Sequence, residues 1–320
     1  PTPGKSLRCV SFSPGPCAQT VLPDGGLRRR AAPLSMPPLP LLFTARWRLI
    51  QASALALTLT LVGCAQPTPA PPHKPVPIAA PAPPPPPPAP PGRIIFAGFA
   101  MHSQAKAFRN DVLLAEQRVK EIDPNALMLK LANPARDQTT DWPQATAENF
   151  ALVMSKTAEV ARPRDRVLLF ISTHSNPGLL NISAGGKNLQ PLTPQALSDA
   201  LAPLNKVPVL VVLSACYSGA FVEPLKAPNR VVITATDARR TSFQCKYGGN
   251  HTPFAEALFG QAGGASLSVT DWMGEAQKSI AAQERRRKIP ASQPRIFVGD
   301  EAKAWTNQPL KNWLQAPKAP

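Results

Sequence analysis

Four apolar runs constrain this chain more than any other feature: Ile94–Gly98, Arg166–Ser172, Val207–Ser214 and Arg230–Ala235. Near-continuous valine, isoleucine and leucine predict strands buried on both faces, because a sheet with one wet face alternates apolar and polar residues. Helical patterns separate them, over Phe108–Glu121, Phe150–Val160, Pro194–Ala202, Pro253–Phe259 and Leu267–Arg286, with Thr146 placed to cap the second. Two further strands are expected at Ala126–Ala132 and Arg295–Val298, and a polar hairpin over Leu179–Leu192 around Ala184-Gly185-Gly186. The expected fold is α/β, an α/β/α sandwich with a mainly parallel central sheet. In such sheets function gathers at the carboxyl ends of the strands.

Residues before 92 read differently. Ala65–Pro91 holds 15 prolines in 27 residues, six of them consecutive at Pro83–Pro88. That composition favours extended polyproline II and cannot bury a core. At ~3.1 Å per residue it would act as a spacer of up to ~80 Å. Ahead of it, Arg46, Trp47 and Arg48 precede a 14-residue apolar run, Leu49–Val62. The run is too short for a spanning helix, which needs about 20 residues, and the order matches a secretory signal. It ends in Leu61-Val62-Gly63-Cys64, which resembles the bacterial lipobox. That resemblance implies a lipid-anchored protein modified on Cys64. With Ala65 rather than aspartate next, the expected place is the outer membrane of a bacterial cell envelope. The expected domains are an upstream extension over 1–35, with Met36 as a start, a signal peptide over 36–63 and a spacer over 64–92. A globular domain over 93–300 and a tail over 301–320 follow.

The formal charge is +16, of which +10 lies after residue 63. The one dense basic run there, Arg285–Lys288, closes an expected helix, where cations complement the helix dipole. No aromatic residues interleave it, so nucleic acid is not an expected partner. Metal is not expected either: His73 lies in the spacer and His102 and His251 in loops, without ligand-like spacing. His102 is expected at the surface.

Two reactive groups fall at successive strand ends. His174 follows the third long strand in Ser172-Thr173-His174-Ser175, and Cys216 follows the fourth in Ser214-Ala215-Cys216-Tyr217-Ser218-Gly219. Neighbouring parallel strands would bring both to one rim, where an imidazole can raise the thiolate fraction and later protonate a leaving amine. Gly219 and its small neighbours are expected to leave the backbone open to a substrate carbonyl.

A histidine after one strand and Ser-Ala-Cys-Tyr-Ser-Gly after the next resemble the legumain family of cysteine peptidases. So do Ile94–Gly98, Phe108-Arg109-Asn110-Asp111, Thr234-Ala235-Thr236-Asp237, Thr241-Ser242-Phe243 and Phe254-Ala255-Glu256-Ala257-Leu258. The resemblance implies the caspase-like fold and hydrolysis of a protein or peptide substrate through a thioester, without metal or organic cofactor. It assigns Cys216 as nucleophile, His174 as base, and the backbone amides of Ser175 and Cys216 as the oxyanion hole. Thr241, Ser242 and Phe243 would offer an edge strand to substrate. Asp237 and Arg109 would belong to the specificity pocket, and Ser214 would also bind substrate. This chain departs from the family in three places. Ser175 replaces the usual glycine after the histidine, and Ser214 replaces the acidic residue behind asparagine preference. Phe99 and Ala100 stand where an orienting asparagine is usual. An inactive scaffold or binding protein on the same fold, a transpeptidase and an amide hydrolase therefore stand as alternatives. Cys245, near the edge segment, is expected as a packed thiol, with a Cys216–Cys245 disulfide as the other reading.

Overall fold

The computed structural model describes residues 91–243 and 249–313. The signal segment, Cys64, the spacer as far as Pro90, and Cys245 lie outside the described residues. In order, the elements are β1 (Ile94–Ala100), α1 (Lys106–Ile122), β2 (Leu127–Ala132), α2 (Ala147–Val160), β3 (Arg166–Ser172), β4 (Ser175–Asn176), β5 (Leu179–Ala184) and β6 (Lys187–Leu192). Then come α3 (Pro194–Leu201), β7 (Val209–Ser214), β8 (Arg230–Thr234), α4 (Pro253–Phe259), α5 (Val269–Arg287), β9 (Arg295–Val298) and α6 (Lys303–Thr306).

The long apolar runs form a six-stranded sheet in the order β2-β1-β3-β7-β8-β9. Only the edge strand β9 runs antiparallel within it. Each strand feeds both faces. Ile94 and Phe96 of β1 join one core cluster with Phe108 and Val112 of α1, Phe254 and Leu258 of α4, and Trp272 of α5. Ile95, Ala97 and Phe99 join the other, with Phe150 and Met154 of α2 and Leu197 and Leu201 of α3. Burial of each such large side chain stabilises by about 1.5–3 kcal/mol, so the double-faced strands carry most of the apolar driving force. The result is the α/β/α sandwich with a mainly parallel sheet that the runs predict.

Helix starts follow side-chain chemistry. Thr146, Thr193, Thr252 and Ser268 each accept the amide hydrogen of the residue three positions on, at 3.1–3.3 Å, satisfying donors the helix cannot. The polar hairpin becomes β5 and β6, joined by β4 in a separate three-stranded sheet. β4 has only two polar residues, too few to show any pattern. The core also takes in Trp305, Leu310 and Trp313, from the stretch read as a tail.

Candidate active site

β3 and β7 are parallel neighbours in register, with Ser172 opposite Ser214. One further backbone bond, Thr173 N–H to the Ser214 carbonyl at 3.2 Å, carries the pairing past the strand ends. His174 and Cys216 each stand two residues beyond that register pair, so the sheet delivers both to the same rim. The loops are also tied directly, since the Ser175 hydroxyl donates to the Cys216 carbonyl. Ser175 has no positive φ. A side chain there costs no backbone strain, and its hydroxyl gains a contact that glycine would lack.

Backbone shapes the cysteine loop. Tyr217 adopts a left-handed conformation, φ +52°, a local cost of about 1–3 kcal/mol that the surroundings must hold. Its N–H donates to the Arg240 carbonyl at 2.8 Å, and the next amide, Ser218 N–H, donates to Thr236 Oγ1 at 3.0 Å. Gly219 has a packing role of its own. A Cβ there would stand 2.5–2.8 Å from the backbone of Thr236, Asp237 and Ala238, so glycine lets the turn Ser218–Phe221 seat against that segment. The Cys216 thiol accepts Ser242 N–H at 3.3 Å and lies 3.8 Å from the Ser242 carbonyl oxygen.

These bonds account for a difference from expectation. Thr241-Ser242-Phe243 is not a strand. Arg240 and Ser242 spend backbone groups on the cysteine loop, which pins the segment there rather than along β8. Arg287 lies over the Phe243 ring at 5.3 Å.

Rings shape the histidine loop. His174 is half-buried, and its ring meets those of Phe108 at 4.9 Å and His102 at 4.7 Å, both nearly perpendicular. His102 is therefore no surface residue; it is 7% exposed. It bridges to Ser183 of β5, which draws it under the hairpin, and its Nδ1 accepts Gln104 N–H at 3.3 Å. Burial lowers the pKa of His174 below the usual imidazole value. That of His102 falls to about 4, through burial first and the neighbouring His174 second. Both rings are neutral at pH 7, and a neutral His174 is able to accept a proton.

Asp111 stands in the sequence only as part of the motif Phe108-Arg109-Asn110-Asp111, with no role assigned by it. It is fully buried on α1. Its carboxylate accepts Ser172 Oγ–H at 2.7 Å, Thr252 N–H at 2.9 Å and Thr252 Oγ1–H at 2.8 Å. His251 Nδ1 stands 3.4 Å away. Thr252 in turn meets the Ser214 hydroxyl at 2.9 Å. One buried carboxylate thus holds the ends of both β3 and β7. Burial raises the Asp111 pKa against these hydrogen bonds, and contact with Asp111 raises that of His251. A charged residue in an apolar-patterned helix, beside threonine at a helix start, is the signal that could have found it.

The remaining expected residues are spread out. Ser214 is buried, its hydroxyl committed to Thr252. Arg109 pairs with Asp141 at 3.1 Å, lies over Trp142, and lines a cleft of about 360 Å³ together with His102. Asp237 pairs with Arg295 at 2.8 Å, which holds its carboxyl below the usual range. Their ion-pair partners differ, Asp141 for Arg109 and Arg295 for Asp237.

Residues 142–285 match the Peptidase C13 family. No curated protein matches the sequence. Matching solved structures include the crystal structure of Caspase-1 from Spodoptera frugiperda, 15% identical, TM-score 0.46, covering 65% of this chain and 86% of that one. They also include a structure of pro-sf-caspase-1, 13% identical, TM-score 0.45, covering 65% of this chain and 91% of that one. The Peptidase C13 stretch carries both His174 and Cys216, and supports kinship with the legumain-like peptidases that the strand-end motifs resemble.

Proposed function

We propose that this chain is a lipid-anchored cysteine endopeptidase in which Cys216 is the nucleophile and His174 the base. The observation that carries the reading is the placement of both residues just past a register pair on adjacent parallel strands, with their loops bonded through Ser175. In the reaction, His174 takes the Cys216 proton and the sulfur forms a bond to the scissile carbonyl carbon. The carbon–nitrogen bond then breaks, the leaving amine takes the proton from His174, and a thioester remains. Water, deprotonated by His174, attacks the thioester and releases the acid and the thiol. The backbone amides of Ser175 and Cys216 are assigned to the developing oxyanion. Anchoring through Cys64 at the outer membrane rests on Leu61-Val62-Gly63-Cys64 and the proline spacer.

The test is turnover of a peptide library by the full chain, together with covalent labelling by a peptidyl electrophile. Both are expected in the native protein, and both are expected to vanish in Cys216→Ala. Labelling without turnover of any peptide would favour a binding scaffold instead. Fatty-acid incorporation lost in Cys64→Ala is the expected mark of the anchor.

A further inference from the structure

We propose that His102 is the third member of the site, a positioning residue that holds the His174 ring edge-on and shields it from water. The inference rests on the peptidase reading for its kinetic consequences, but not for its structural one. Among the described residues His174 makes no side-chain hydrogen bond; two nearly perpendicular ring contacts, to Phe108 and His102, fix its orientation. Phe108 belongs to a core cluster and is immobile by packing. His102 is held differently. Its residue bridges to Ser183, and the Gln104 amide hydrogen occupies its Nδ1, which leaves the ring proton on Nε2.

The surroundings suit a neutral partner. His102 faces His174 from the β3 loop, Phe108 from α1 and Ser183 from β5. The charged groups bordering the cleft beside it are Lys106, Arg109 and Asp141, the last two paired with each other. Among the described residues no carboxylate pairs with His102, and burial beside the His174 ring keeps it a neutral partner. The end of β1, where an orienting residue would stand, is thus served by His102 two residues further on, through ring contact rather than a hydrogen bond.

Two substitutions in the full chain make opposite predictions. His102→Phe keeps a flat ring and loses the Gln104 bond; His102→Asn keeps a polar acceptor and loses the ring. Ring positioning predicts that Asn lowers kcat about tenfold with KM within about twofold, because a misplaced base slows chemistry more than binding. It predicts that Phe keeps kcat within about threefold. The titration of the His174 imidazole, followed by NMR, should move up toward about 6.5 in Asn and stay low in Phe. The reverse pattern, with Asn near normal and Phe impaired, would mean that His102 only anchors its own loop, and would overturn the proposal. If the native protein neither labels nor turns over, the peptidase reading fails. The NMR titration still decides the ring pairing, since it needs no turnover.

Discussion

The two loops at the proposed active rim are built in different ways. The cysteine loop is a backbone construction, with a left-handed Tyr217, a glycine pressed against residues 236–238, and amide hydrogens committed to Arg240 and Thr236. The histidine loop is a side-chain construction, with no positive φ at His174 or Ser175 and a ring fixed by Phe108 and His102. The difference fits the chemistry proposed for the pair. A nucleophile needs its backbone amide as well as its sulfur in place, so the chain path must be rigid. A base needs only its ring in place and in a dry setting, which packing supplies. Asp111 is common to both, because its carboxylate reaches Ser172 directly and Ser214 through Thr252.

The comparison breaks most completely at that shared anchor. Asp111→Ala would strand Ser172, Thr252 and His251, and should cost about 3–5 kcal/mol in thermal or denaturant melting, as for other broken buried charge networks. Labelling of Cys216 should fall with it, because both strand ends lose their support. Acid should then separate the loops. His102 and His174 have folded pKa values below the unfolded value of about 6.5, so their neutral burial is fully compatible with folding above that pH. Stability is lost as pH falls through the folded values, a window that for His102 runs from about 6.5 down to about 4. The loss should approach roughly 3 kcal/mol for His102, and His102→Phe should remove it, as melting at pH 4 against pH 7 would read. His251 acts with the opposite sign, since its raised pKa stabilises below the unfolded value and that gain fades as pH rises through the folded one. The smallest effect on stability should come from Gly219→Ala, about 1–3 kcal/mol of overpacking. Its effect should fall on the cysteine loop alone, with slower labelling of Cys216 and an unchanged His174 titration.

Much of this was legible beforehand, for physical reasons. The parallel sheet was readable because strands buried on both faces must be apolar throughout, as Val209–Leu213 is, and the helix starts because Thr146 and its counterparts carry the cap in one residue. The pair at the rim followed from strand order alone. What escaped was long-range. His102 looked like a surface residue because its burial comes from Ser183, 81 positions on, and Asp111 because its partners sit on β3 and α4. The packing demand at Gly219 is equally long-range, because the backbone that requires glycine there belongs to residues 236–238. The segment Thr241-Ser242-Phe243 shows no strand without a substrate backbone to pair with, because Ser242 N–H donates to the Cys216 thiol.

The central claim is that Cys216 and His174 act as one unit, and the pH dependence of Cys216 alkylation tests it most directly. In the native chain a small haloacetamide should modify Cys216 well below the ordinary thiol pKa of about 8.5, because the imidazole supports the thiolate. In His174→Ala the rate should fall at least about tenfold at pH 7 and rise only as the thiol ionises by itself. Identical profiles for the two proteins would contradict the account, leaving Cys216 a thiol that merely ends a strand.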